Sequence, residues 1–162
     1  MANDDEGRKE VAKILKDADI CVLTTVNASG QLFSRPLALQ EAEFDGDLWF
    51  VTQDPSPKAD EIRGNPHVNV SVSGSDGYLS ISGTAKIVRD QTKIDDLWGP
   101  SLEPWFEHGK DDPAVALIHV EAHTAEYWRP DSPKVITLFK LAKGMVTGKK
   151  ADDVGKNDVV DL

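Results

Sequence analysis

The chain contains only one cysteine among its 162 residues, so it can form no intramolecular disulfide. Cys21 lies in the apolar run Ile20-Cys21-Val22-Leu23. Because burial in apolar surroundings suppresses the thiolate, we predict a buried thiol on a strand and not a nucleophile. With no disulfide framework to suggest an oxidising compartment, we expect a cytoplasmic location.

Long apolar runs and basic residues are also scarce. No apolar run approaches the ~20 residues of a membrane-spanning helix, and the acidic start Met1-Ala2-Asn3-Asp4-Asp5-Glu6 lacks the pattern of a signal peptide. Lys and Arg number 18 against 28 Asp and Glu, which gives a net charge of −10. Because nucleic acids and anionic membranes attract basic surfaces, we predict neither as a partner. An anionic ligand would need a local cluster of donors.

Motifs of several common enzyme classes are missing as well. The sequence has neither a Gly-rich dinucleotide fingerprint nor a phosphate-loop lysine motif. His119 and His123 are four residues apart, but their segment alternates like a strand and no cysteine or carboxylate cluster accompanies them. We therefore predict no metal site. No side chain stands out as an acid or base, so the catalytic residues stay unassigned.

What the sequence does contain is a β-rich pattern. Alternating segments separated by turn residues predict at least five strands, which form an antiparallel sheet closed into a barrel, with flanking helices. The predicted helices cover residues 5–16, 57–63, a short segment after Asp90, and 133–147. The predicted strands cover 20–26, 32–43, 48–53, 68–73, 78–88, 114–120 and 125–128. We expect one domain over residues 1–150, followed by a polar, loosely ordered tail over 151–162.

The segment after the apolar run 48–52 combines a strand end with a marked helix start. Ser56 is an N-cap residue, Pro57 suits the first helical position and Gly64 suits the end. A helix start carries free N–H donors and partial positive charge, and Lys58 lies in its first turn. An ordinary capped surface helix would have the same local signature.

A predicted hairpin would bring a second cation, Arg35, close to this helix start. Asp45-Gly46 is typical of a two-residue hairpin, which would pair the strand 32–43 with the strand 48–53. Arg35 would then lie almost opposite Ser56 and close to Lys58. Such a cluster of cations and donors suits a phosphate monoester.

One strand pair has an uncharged face. Between Arg63 and Lys86 the only formally charged residue is Asp76, in a turn. A solvated strand face normally carries some charged side chains, so we expect a second subunit or a ligand to cover this one. A merely serine-rich exposed face is the alternative. The small uncharged side chains are Asn69, Ser71, Ser73, Ser80, Ser82 and Thr84.

The order of several motifs resembles the pyridoxamine-phosphate-oxidase-like FMN-binding split barrels. The motifs are Ser34-Arg35-Pro36-Leu37, Leu48-Trp49-Phe50-Val51-Thr52, Ser56-Pro57-Lys58 and Asn65-Pro66-His67-Val68. The later Ala125-Glu126-Tyr127-Trp128 and the stretch from Leu141 to Lys149 resemble the bacterial general-stress-protein branch. The resemblance covers roughly residues 6 to 150, nearly the whole chain.

This resemblance implies a homodimer of six-stranded antiparallel Greek-key split barrels, with FMN in two sites at the subunit interface. By position, Arg35 and Lys58 would hold the phosphate. The other implied contacts are hydrogen bonds from Ser56 and Thr52, contacts of Pro36, Leu37, Phe50 and Val51 along the flavin and ribityl chain, a polar contact of Tyr78, and Trp128 from the other subunit. A tryptophan plugging the barrel end is the alternative for Trp128.

The resemblance leaves the reaction open. The pyridoxamine-phosphate oxidases proper grip their substrate with a basic C-terminal segment, whereas this chain ends in an Asp-rich, Lys-containing one, so we do not expect that activity. The leading hypothesis is an FMN-dependent oxidoreductase acting on an unknown small substrate. The alternatives are a stress protein that binds flavin without turnover, and a split barrel that uses deazaflavin or haem.

Overall fold

The computed structural model describes residues 4–40, 44–75, 77–130 and 155–162. This part of the chain contains three α-helices, seven strands and two short 3-10 helices, Glu103–Trp105 and Gly109–Asp111. The helices are α1 (Asp4–Lys16), α2 (Pro57–Gly64) and α3 (Gln91–Leu97). The strands are β1 (Ile20–Val26), β2 (Leu32–Ala38), β3 (Asp47–Gln53), β4 (His67–Gly74), β5 (Gly77–Val88), β6 (Val115–Pro130) and β7 (Gly155–Asp161).

The strands form one antiparallel sheet in the order β2-β1-β4-β5-β6-β3. Strand β6 is long enough to pair with β3 along its first half and with β7 along its second half. Strands β2 and β3 end the order on opposite sides, so the sheet is not closed. This is the predicted mainly β split barrel with flanking helices.

The predicted hairpin between the second and third strands is wrong. Strand β2 pairs with β1, where Arg35 lies opposite Leu23, while β3 pairs with β6. The β1–β2 turn is closed locally, because Asn27 Oδ1 accepts from the N–H groups of Ser29 and Gln31, each at 2.9 Å. The chain does bend near Gly46 (φ +107°), but there it crosses to the far end of the sheet.

Three other expectations concern the second half of the chain. The two predicted strands at 114–128 are a single strand, β6, of 16 residues. The end of the chain is not a loose tail, since residues 155–161 form β7, which extends the edge of β6. The side chain of Val160 is buried against Gly7 of α1. A Cβ atom at position 7 would lie only 2.5 Å from Val160 Cγ2, so α1 and β7 pack closely here. The predicted helix over 133–147 lies outside the described residues.

Two apolar cores lie on the two sides of the sheet. The inner faces of the strands build the main core, which α1 seals with Val11 and Ile14. Cys21 is buried there, which confirms the predicted buried thiol, and burial raises the pKa of this thiol to about 12. The smaller core lies between α3 and the outer side of β3 and β6, and contains Ile94 and Phe106.

Among the described helices, none combines the length and apolar character needed to span a membrane.

Candidate functional site

The start of α2 has the predicted cap. Strand β3 ends at Gln53, the Asp54–Pro55 peptide is cis, and Pro57 opens the helix. The Oγ of Ser56 accepts from the N–H of Ala59 at 3.3 Å, as the N-cap prediction required. Ala59 and Ile62 are buried and fix the helix against the barrel. The remaining first-turn N–H groups give this end partial positive charge.

A buried carboxylate ties the helix start to the rest of the molecule. Asp54 accepts from Arg63 at 2.8 and 2.6 Å and from Arg89 at 2.9 Å. Arg89 also donates to the carbonyl of Pro113 at 2.6 Å. The hydrogen bonds from Arg63, and then those from Arg89, lower the pKa of Asp54 to about 2. The carboxylate is therefore ionised across the neutral range and connects the segment before α2 to Arg63 in the last turn of the helix.

Arg35 reaches α2 from the inner side of β2. Its Nη1 donates to Thr25 Oγ1 at 2.6 Å and its Nη2 to Glu61 Oε2 at 2.8 Å. Thr25, which is fully buried, donates in turn to the same Glu61 oxygen at 2.5 Å. These contacts supply the partner that an arginine in an apolar strand requires. Arg35 thus joins the helix start through Glu61, and not through the hairpin that the sequence suggested.

Lys58 completes a local group of charges. Its pKa is lowered, first by burial and then by the positive charge of Arg35, while the Glu61 carboxylate opposes the shift. Two cations and one carboxylate therefore lie within electrostatic reach at a helix start. An anion placed beside them would favour the charged lysine, so the donor set fits a phosphate group.

The structure places the other predicted contacts unequally. The side chain of Phe50 is fully buried in the main core and Val51 packs against the smaller core. Thr52 is buried, with its Oγ1 3.4 Å from the carbonyl of Gln53. Leu37 is half-buried against the main core, whereas Pro36 is exposed. Phe50 could therefore touch a ligand only through its backbone, and the roles of all five residues stay predictions.

Tyr78 and Trp128 form a cross-strand pair away from this group. They lie opposite each other on β5 and β6, 57% and 37% exposed. Trp128 therefore does not plug the barrel. Strand β6 is four strand spacings from β2, about 19 Å along the sheet. Because the pair points outward while Arg35 points inward, one protomer does not bring Trp128 and Arg35 together.

The pair belongs to an exposed surface that we call the outer face. It consists of two rows of paired residues that cross the sheet on the side away from the main core, together with the residues on the same side of these strands. The rows are Pro36-Val22-Ser71-Ser80-Glu126-Val159 and Ser34-Thr24-Asn69-Ser82-Thr124-Asp161. Uncharged side chains dominate, and they bond to one another: Asn69 donates to Ser80 at 2.9 Å. Of the eight large apolar or aromatic side chains exposed in the described residues, six lie here: Ile20, Val22, Leu32, Tyr78, Trp128 and Val159.

Four residues of this site were not predicted from the sequence: Thr25, Asp54, Glu61 and Arg89. Glu61 carries a local signal, because it follows Lys58 by three residues on a helix and therefore shares its side. Thr25 and Asp54 carry none, since their partners are distant in sequence. Within the described ranges, no three histidine, cysteine or carboxylate side chains come together as metal ligands would.

Comparison with known proteins identifies the family. The family model described as "Pyridoxamine 5'-phosphate oxidase like" matches residues 6–152. The chain belongs to this family. One relative, Protein bli-3 of Neurospora crassa, is 31% identical over 159 residues, which cover 91% of this chain and 76% of that protein.

Solved structures share the split barrel of this pyridoxamine 5'-phosphate oxidase-like chain. A putative general stress protein 26 from Jannaschia sp. CCS1 has a TM-score of 0.75 at 22% identity, covering 98% of this chain and 99% of its own, which shows the fold. The general stress FMN/FAD binding protein from Xanthomonas citri has a TM-score of 0.70 at 27% identity, covering 80% and 92%. The general stress protein 26 from Bacillus anthracis has a TM-score of 0.68 at 26% identity, covering 75% and 93%.

Proposed function

We propose that this chain binds FMN, with the phosphate at the start of α2 between Lys58 and Arg35. The observation that carries the proposal is the pairing of two partly buried cations beside a capped helix start, in a chain whose net charge is −10. The family supports it, as does the Xanthomonas citri relative, which is named an FMN/FAD binding protein. Ser56 and Thr52 would add hydrogen bonds to the same group.

The site is built from two subunits. The outer face exposes six large apolar or aromatic side chains, and apolar patches of this kind mark protein–protein contacts. The two central rows of this face carry only Glu126 and Asp161 as charged residues, so a second copy can cover them at small desolvation cost. Trp128 then serves the flavin whose phosphate the partner subunit holds, because it lies far from its own Arg35.

The bound flavin supplies hydride or electron transfer, and the protein supplies binding and orientation. We propose an oxidoreductase that acts on a small substrate. Pyridoxamine phosphate is not the proposed substrate, because β7 carries Asp158 and Asp161 against a single lysine, Lys156, and so offers no basic grip for a substrate phosphate.

A flavin-binding protein without turnover is the second candidate, and the Xanthomonas citri relative is named for binding FMN/FAD and not for a reaction. Anaerobic mixing with nicotinamide cofactors separates the two, because only an oxidoreductase reduces its flavin repeatedly when an electron acceptor is restored. The absorption spectrum of the purified protein and the mass of the ligand released on denaturation test the flavin itself. A deazaflavin or haem would contradict FMN.

Mixed dimers test the shared site. A dimer of one Trp128→Ala subunit and one Lys58→Ala subunit contains one site with both defects and one intact site if the two residues act across the interface. We expect about half of the wild-type sites to bind FMN with wild-type affinity. If both residues served the same subunit's site, verified mixed dimers would contain no intact site.

A further inference from the structure

The carboxylate of Glu61 lies within the proposed phosphate site. Glu61 lies on α2 three residues after Lys58, its side chain is only 15% exposed, and its Oε2 accepts from Arg35. A negative charge beside a phosphate opposes binding. Its presence therefore requires a reason that the phosphate contacts alone do not give.

The surroundings show how firmly this carboxylate is held. Thr25 is fully buried and donates to the same oxygen that accepts from Arg35. Thr25 also accepts from Arg35 Nη1, so the three side chains close a ring of hydrogen bonds. A carboxylate fixed on two sides, one of them by a buried hydroxyl, supports the guanidinium instead of standing in temporarily for a ligand.

We propose that Glu61 is a positioning residue that orients Arg35 toward the ligand and sets the charge preference of the phosphate site. This rests on the proposed function, that a flavin phosphate binds at α2. The ring uses one N–H on each terminal nitrogen of Arg35 and leaves the other guanidinium N–H groups for the phosphate. With Glu61 ionised, the two cations exceed the anions by only one charge. A site of this kind distinguishes weakly between the monoanion and the dianion of a phosphate monoester.

Replacing the carboxylate by an amide separates the two roles. Glu61→Gln keeps an oxygen that can accept from Arg35 and Thr25 but removes the negative charge. At low ionic strength we expect FMN affinity to rise about fivefold or more, since the lost repulsion acts over a short distance in a partly buried site. Riboflavin has the same ring and no phosphate, so its affinity should stay unchanged. Glu61→Ala removes the oxygen as well, so it should bind FMN more weakly than Glu61→Gln does.

The experiment is a fluorescence titration of the full chain with FMN and with riboflavin at about pH 5.5 and about pH 7.5, on either side of the phosphate's second pKa of ~6. The matched control is Asp60→Asn, which removes the same charge from the same helix at a side chain 74% exposed. We expect the ratio of FMN to riboflavin affinity to rise in Glu61→Gln and to become more dependent on pH, but to change little in Asp60→Asn. Should Glu61→Ala not fold, Thr25→Val removes the hydroxyl that anchors Glu61 and is expected to lower the same ratio.

Three results are informative in different ways. If wild type prefers FMN to riboflavin, yet Glu61→Gln has the same ratio and pH profile as Asp60→Asn, the role of Glu61 in charge preference is refuted. If Glu61→Gln and Glu61→Ala bind FMN with equal affinity, the role of Glu61 in orienting Arg35 is refuted. Where Glu61→Ala does not fold, equal FMN affinity of Thr25→Val and wild type refutes the same role. If wild type binds FMN and riboflavin equally, the phosphate site itself is refuted, and with it the proposed binding of FMN at α2.

Discussion

Replacing Lys58 by alanine tests the phosphate site with little disturbance of the fold. The side chain is half-buried in the first turn of α2, and the contacts that hold this turn come from Ser56 and from the buried Ala59 and Ile62. Alanine is also a good helix former. We therefore expect the melting temperature to stay nearly unchanged, so that any loss of flavin affinity reports the missing ammonium group.

The expected loss follows from the type of contact. A hydrogen bond to a charged group contributes about 1.5–3 kcal/mol, and about 1.4 kcal/mol corresponds to a tenfold change in affinity. Lys58→Ala should therefore weaken FMN binding roughly tenfold to a hundredfold. Riboflavin binding should change little, because the proposed partner of the ammonium group is the phosphate, which riboflavin lacks.

Quenching of flavin fluorescence at fixed ionic strength measures both affinities. The matched control is Lys16→Ala, which removes one positive charge from the exposed end of α1. An unchanged FMN affinity in both Lys58→Ala and Arg35→Ala would refute the site assignment. An equal loss in Lys16→Ala would mean that net charge, and not a local contact, governs binding.

Three further predictions concern the interface, the aromatic contact and the buried carboxylate. Ser71→Glu places a charge in the centre of the outer face, so sedimentation should show monomers or unfolded chain; a stable dimer would mean that this face is exposed. Trp128→Ala should retain the thermal stability of the ligand-free protein, weaken FMN binding and brighten the bound flavin, whereas lost stability without ligand would assign Trp128 to packing. Asp54→Asn should lower the melting temperature at pH 7. The difference from wild type should shrink between about pH 4 and pH 2, because the pKa of Asp54 is lowered and its contacts with Arg63 and Arg89 stabilise the folded protein only while the carboxylate is ionised. A difference that does not depend on pH would contradict this.

Local structure could be predicted where short-range chemistry decides it. The cap of Ser56 on α2 and of Asp90 on α3 depends on residues within one helical turn, and both caps are present. The alternation of strands β1, β4 and β5 follows directly from side-chain periodicity. Cys21 was predicted to be buried because it lies in an apolar run, and it is buried.

Strand pairing was predicted less well, because a turn signal does not determine which strands meet. Asp45-Gly46 bends the chain, but the strands on either side of it pair with β1 and β6. The end of the chain was also underestimated. Residues 155–161 are mostly polar, yet β6 offers them a free edge and Val160 fills the space beside Gly7.

The two cations of the candidate site were proposed from the sequence, whereas its two carboxylates were not. Arg35 and Lys58 are conspicuous in an acidic sequence, and the helix start is marked by Ser56. Glu61 and Asp54 are two acidic residues among many, and their contacts with Arg35 and Arg89 connect positions 26 and 35 residues apart. Only the folded sheet brings those pairs together.

A crystal structure of the protein with FMN would test the central claim most directly. We expect the phosphate within hydrogen-bonding distance of Lys58 Nζ and the Arg35 guanidinium at the start of α2, with the flavin ring against Trp128 of the partner subunit. A phosphate bound elsewhere, or a flavin that contacts one subunit alone, would contradict the account.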